Sequence, residues 1–197
     1  MDHITTIGAA LLIGVAATLN PHGPGGMPGG HGQAPGHAVP ERGPVPEAQA
    51  ADVESVDAII AAMYDCISGP KGAERDWDRL RSLFLPDGRY IASRPGQGAW
   101  VMQVEEFIAM TRRTFERGGY YEREVGRRTE RFSDIAHVWS TYEARYSQEA
   151  DPHSRGIYSI QLFHDGSRWW IVNACWAFER EDMPIPARYL DGKKEQD

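Results

Sequence analysis

The side chains able to do chemistry in this 197-residue chain fall into four groups. Cys66 and Cys175 sit in apolar runs, where a free thiol behaves as a small buried hydrophobe; they pair only if the first helix crosses the last strand. His22, His31 and His37 lie in a Pro/Gly-rich stretch and read as a mobile metal-binding tract or, more simply, as soluble spacers. Arg112, Arg113, Arg117, Arg123, Arg127, Arg128 and Arg131 bunch together, interleaved with Glu116, Glu122, Glu124 and Glu130. That mixture of signs reads as a solvated surface rather than an anion site. His137 is a lone histidine in a β-patterned run, suited to proton transfer near neutral pH or, if its strand turns it outward, to a structural role. The folded part shows no metal-ligand spacing, and neither a metal nor a cofactor is expected.

The elements that must position these groups are clearest from Ala136 to Glu179. Three runs rich in Ile, Val, Thr, Tyr and Trp are separated by Asp-Pro and Asp-Gly punctuation and read as antiparallel strands joined by hairpins. Asp165-Gly166 supplies the positive φ of a tight turn. Trp139, Trp169, Trp170 and Trp176 lie here, and surfaces that large need a covering layer. Upstream, Val53, Val56, Ile60, Met63 and Ile67 fall at helical spacing, ended by Ser68-Gly69-Pro70. Asp76 is placed to cap a second helix, which stops at Pro86-Asp87-Gly88; Asp87 itself reads as the turn residue. A short strand, Arg89 to Ser93, follows. A third helix, Val104 to Arg117, ends at Gly118-Gly119, and Tyr120 to Phe132 reads as a long strand. Glu143, Arg145 and Arg155 are placed for a cross-strand ion pair. The sum is an α+β domain with three N-terminal helices packed on a curved antiparallel β-sheet.

Composition bounds the rest. A 41% hydrophobic share and net charge of −7 describe a globular domain and argue against a nucleic-acid binder. Residues 1–19 contain the uncharged apolar run Ile4 to Leu19, which reads first as a secretory signal peptide and second as an uncleaved anchor, although no basic residue precedes it. Export to the periplasm or medium is therefore expected, with no membrane association after cleavage. Residues 20–50 are too rich in Pro and Gly to bury a core and read as a tether. Residues 51–181 form the domain, and residues 182–197 a tail pinned by Tyr189 and Leu190 and frayed after Asp191.

The phrases LFLPDGRY at 83–90, RFSDIAHVWSTYEAR at 131–145 and RGIYSIQLFHDGSRWWIVNACW at 155–176 resemble the NTF2-like (SnoaL-like) superfamily of cone-shaped α+β domains, in particular exported bacterial members. The resemblance implies the NTF2-like cone and says little of activity, since this fold hosts ketosteroid isomerase, scytalone dehydratase, polyketide cyclases and non-enzymatic binders. Tyr64 matches the helix tyrosine of the isomerases, but their base position falls on Ala92 and their strand acid near Gly156, so that isomerase chemistry is not expected. Scytalone dehydratases use tyrosine, histidine and aspartate, and Tyr64, Tyr90 and His137 offer such acid–base types here. With Trp176 inward as in the isomerases, alternation brings Trp170 and Val172 to the same face, and Tyr158, Ile160 and Leu162 join them. The leading expectation is a domain binding a small apolar or aromatic molecule in an aromatic-lined cavity, without catalysis. The alternatives are a cofactor-free hydro-lyase, cyclase or isomerase, and a protein-interaction module. Pairing through the outer sheet face, where the same alternation leaves Trp169, Ile171 and Cys175, implies a homodimer.

Overall fold

The structure, a computed structural model, describes residues 44–196. The signal-peptide and His-rich tether readings fall on residues outside that range, except that Ala48 packs against the core. Among the described residues no helix is long and apolar enough to cross a membrane.

The first amphipathic stretch folds as two helices, α1 (Ala50–Val53) and α2 (Val56–Ile67). Ser55 separates them: its backbone is extended and its Oγ accepts the amide of Ala58 at 3.1 Å, the N-cap geometry that starts a fresh helix. Asp76 caps α3 (Trp77–Leu83) by accepting the Arg79 amide at 2.9 Å, as its type and position predict. Gln103 and Glu106 form a reciprocal capping box on α4 (Val104–Arg117).

Seven strands form one sheet: β1 (Phe84–Arg94), β2 (Gly98–Gln103), β3 (Tyr121–Phe132), β4 (Ile135–Arg145), β5 (Ser154–His164), β6 (Trp169–Phe178) and β7 (Lys193–Gln196). Their order is β2-β1-β6-β5-β4-β3-β7. The β3-to-β6 meander is antiparallel throughout, and Gly166 takes φ 96° in its last hairpin. β1 meets β6, and β7 meets β3, in parallel, so the sheet is mixed rather than antiparallel throughout. Neither of those pairs is joined by a hairpin, so no turn dictates their sense.

The inner face of the curved sheet carries Val138, Ile160, Leu162, Ile171 and Ala174, each at most 1% exposed, and packs with Ile59, Ile60 and Met63 of α2 and Phe107 and Ile108 of α4 in one core. On the outer face the C-terminal segment is docked. Thr141 donates its hydroxyl to the carbonyl of Tyr189 at 2.7 Å, and the Tyr189 ring lies 5.4 Å from that of Trp139. β7 then pairs with Arg127–Glu130. Cys66 and Cys175 are both free, and burial pushes the Cys66 thiol up to about 12, a poor nucleophile. Glu143 accepts from Arg145 at 2.8 Å and sits 3.8 Å from Arg155, the expected cross-strand arrangement.

Candidate functional site

The interior of the cone is not wholly apolar, and its polarity enters from β3. Register places Glu122 opposite Ala144, Glu124 opposite Tyr142 and Arg127 opposite Ser140, all on the buried side of β4. Glu122 and Arg127 are only 7% and 4% exposed. The mixed-sign stretch is thus a solvated surface only in part. Arg112, Arg113, Arg117, Arg123 and Arg131 are exposed, whereas Glu122, Glu124 and Arg127 turn inward.

Glu122 is the centre of this arrangement. Tyr120 donates its hydroxyl to Oε1, and Tyr158 donates to Oε2 at 3.2 Å. The Glu122 backbone is clipped to α2 through Ser68, whose Oγ accepts its amide at 3.0 Å and donates to its carbonyl at 3.2 Å. Removal from water favours the protonated acid, and the two phenols only partly offset that, so burial pushes the carboxyl up to about 7. A carboxyl at that value is divided between acid and base at physiological pH, the condition for efficient proton transfer. The phenols of Tyr64, Tyr90, Tyr120, Tyr142 and Tyr158 are all held well above their ordinary value, chiefly by burial and then by neighbouring charge, so each stays a neutral O–H.

A second chain runs beside it. The hydroxyls of Tyr64 and Ser140 lie 2.7 Å apart, Ser140 donates to Glu124 Oε1 at 2.5 Å, and Arg127 Nε donates to the same oxygen at 2.7 Å. Arg127 reaches outward to Asp57 on α2. Aromatic rings pack around both chains. Tyr90 stacks on Phe107 with centroids 3.8 Å apart, and Trp176 stands 6.1 Å from both Tyr90 and Tyr158. Tyr142 packs 4.9 Å from Tyr158, and its hydroxyl lies so close to Gly156 that a Cβ there would come within 2.5 Å of it. The Tyr90 hydroxyl is buried and has no hydrogen-bond partner.

Of the residues singled out in the sequence, Tyr64, Tyr90, Tyr158, Ile160, Leu162 and Trp176 are all buried in this core. His137 is not among them: it is on the opposite face of β4, where Nε2 lies 2.9 Å from Ser159 Oγ and the ring packs on Trp139. Trp170 and Val172 also leave the interior. Leu162 pairs with Ile171 and Gln161 with Asn173, so Val172 is an extra residue in β6. This bulge shifts the alternation by one. Trp169 and Ile171 are buried instead, and Trp170 turns to the hairpin, donating to Asp165 Oδ2 at 2.7 Å beneath the Arg168 guanidinium. The outer-face group named for dimerisation, Trp169, Ile171 and Cys175, keeps only Cys175 there.

The sequence matches the family model of the SnoaL-like domain over residues 50–174. The chain belongs to that family. Among solved structures, this SnoaL-like chain is similar to a cystatin-like-fold protein of unknown function from Nostoc punctiforme. The two are 10% identical with a TM-score of 0.52, over 64% of this chain and 90% of that one. It is similar also to a proposed dehydratase of the NTF2-like family from Streptomyces avermitilis (15% identical, TM-score 0.50, 66% and 96% covered) and to LinA (10%, 0.50, 68% and 92%). Likeness at these identities speaks for the NTF2-like fold alone. No curated protein matches the sequence.

Proposed function

We propose that the interior of this SnoaL-like domain binds a small, mainly apolar or aromatic molecule and that Glu122 exchanges a proton with it, as a cofactor-free lyase, isomerase or cyclase requires. The observation that carries the reading is the Glu122 carboxyl, buried, hydrogen-bonded by two phenols and held at about 7. Burying a carboxyl against neutral partners alone disfavours its charged form, so its presence in this core calls for a use beyond stability. Tyr90, whose buried hydroxyl has no partner, supplies a neutral donor that can follow charge as it develops on a carbonyl oxygen. The carboxyl comes from β3, not from the Ala92 or Gly156 positions that the isomerase pattern would use, so the ligand meets its base from a different wall of the cone.

Proton abstraction next to a carbonyl is a step that such lyases, isomerases and aldol cyclases share, and it can be observed without knowing the product. The full chain incubated with a panel of small cyclic ketones in deuterated buffer should accelerate deuterium uptake at the carbon next to the carbonyl, followed by NMR. Glu122→Gln should abolish that acceleration. Uptake no faster than in buffer across the panel would reject the proton-transfer reading.

A homodimer through the outer sheet face is also proposed, on a different basis from the one read in the sequence. Phe132, Ile135, Phe163 and Trp170 pair in one row across β3, β4, β5 and β6. Three of them are exposed, at 80%, 57% and 37%, which makes an apolar strip that a second copy would cover.

A further inference from the structure

The hydrogen bonds of the second chain have a fixed direction, and that direction constrains what the site can bind. Arg127 is always charged and donates to Glu124 Oε1, so Glu124 is a carboxylate that can only accept. Ser140 therefore spends its single proton on Glu124, at 2.5 Å. Its oxygen is left to accept, and the Tyr64 hydroxyl 2.7 Å away must be the donor in that contact. Tyr64, its proton committed, offers the interior only lone pairs. The same holds at Glu122, which takes the protons of Tyr120 and Tyr158. One wall of the core is therefore an acceptor wall.

Tyr90 is the opposite case. Its hydroxyl is buried with no partner, and its ring is wedged against Phe107 and Phe84. A buried hydroxyl left unmade is disfavoured, and such exceptions mark a place where a partner arrives. Trp176 stands between the two sides, 6.1 Å from the Tyr90 ring and 6.1 Å from the Tyr158 ring.

Resting on the reading that this interior binds a small ring-bearing molecule, we infer that the ligand is bipolar. It carries a hydrogen-bond donor at one end, read by Glu122 and the oxygen of Tyr64, and an acceptor at the other, read by the Tyr90 hydroxyl. Ser140, Glu124 and Arg127 touch no ligand; they are positioning residues that set the sign of the Tyr64 end. Hydroxylated ring ketones and aldehydes have this polarity. Simple ketones lack the donor, and simple alkylphenols lack the carbonyl acceptor.

The test uses calorimetric titration of the full chain at pH 8 with three probes of similar size: 4-hydroxyacetophenone, acetophenone and 4-ethylphenol. The hydroxyketone should bind about tenfold or more tightly than either single-function probe, because a site built around a polar group rejects the analogue lacking it. In Tyr90→Phe the advantage over 4-ethylphenol should vanish while the advantage over acetophenone persists. In Ser140→Ala the Tyr64 proton is released to the interior, and the advantage over acetophenone should shrink. Both substitutions remove one oxygen, and circular dichroism confirms that each variant is folded before titration. Equal affinity for the three probes, or preferences unmoved in both variants, would overturn the bipolar ligand while leaving the binding site standing. Failure of all three probes to bind the parent chain would overturn both.

Discussion

Glu122→Gln should stabilise the protein, and by an amount that depends on pH. The carboxyl titrates at about 7 in the fold and at an ordinary 4.5 when exposed. A folded value above the unfolded one means that the fold binds the proton more tightly. The contribution is therefore complete below about 4.5, falls as pH rises, and is gone above 7. Each tenfold difference in proton affinity is worth about 1.4 kcal/mol, so the parent loses roughly 3 kcal/mol across that window. Glutamine has the size and polarity of the protonated acid and does not titrate. The stability gap between variant and parent should be near zero at pH 4.5 and about 3 kcal/mol in favour of the variant at pH 8, roughly 6–12 °C in Tm for a domain of this size. His153, whose value burial lowers, acts in the opposite direction, but it is common to both proteins and cancels in the difference. Urea denaturation followed by tryptophan fluorescence at four or five pH values measures the gap. A gap that stays flat from pH 4.5 to 8 would refute the reasoning, since Glu122 would then titrate alike in both states.

Tyr90→Phe removes an unpartnered buried hydroxyl and should raise the stability of the unliganded chain by about 1 kcal/mol in the same assay; a loss would mean that the hydroxyl has a partner after all. Arg75→Met should cost about 3 kcal/mol or more, because the buried guanidinium donates to the carbonyls of Gly69 at 2.7 Å, Ala73 at 2.8 Å and Pro70 at 3.2 Å, and these would be left unmet; an unchanged melting curve would show that water replaces it. Phe132→Asp combined with Phe163→Asp should turn a dimer into a monomer in light scattering at micromolar concentration, and a parent chain already monomeric there would dispose of the interface. Thr141→Val should loosen the C-terminal segment, seen as faster amide exchange at Leu190 and Gly192; unaltered exchange would mean that ring packing of Tyr189 alone holds it.

What could be read from the chain depended on whether a feature announces itself in hydrophobic pattern. The helices, their caps and the meander are patterned, and Tyr64 was legible through the resemblance to the isomerases, whose helix tyrosine it matches. Glu122 was not. In the first half of YEREVGRRTERF the apolar residues are Tyr121 and Val125, so a period-two reading turns them inward and the glutamates to solvent. The β4 register decides the other way, since Ala144, Tyr142 and Ser140 need neighbours on the buried side and these are Glu122, Glu124 and Arg127. The only local hint was the company of Tyr120, two residues before Glu122. His137 lies away from the core, and a related limit applies to it: type was visible, facing was not. Trp170 and Val172 were assigned by unbroken alternation, and a bulge leaves no signature in residue types.

That bulge has a consequence for how this strand can change. β6 is read in two frames joined at Val172: Trp169 and Ile171 belong to one, Ala174 and Trp176 to the other. The residues of the proposed site and those that seal the hairpin end are therefore not locked to a common parity. A one-residue deletion at Val172 would make Gln161–Asn173 and Leu162–Ile171 successive pairs of a regular ladder, with Trp169 and Ile171 still inward and Trp176 unmoved. A substitution in the hairpin is likewise separated from the proposed site by the joint. The β5–β6 turn is thus the place where sequence can be exchanged while the interior keeps its packing, and the joint at Val172 is where a one-residue change in length can be absorbed.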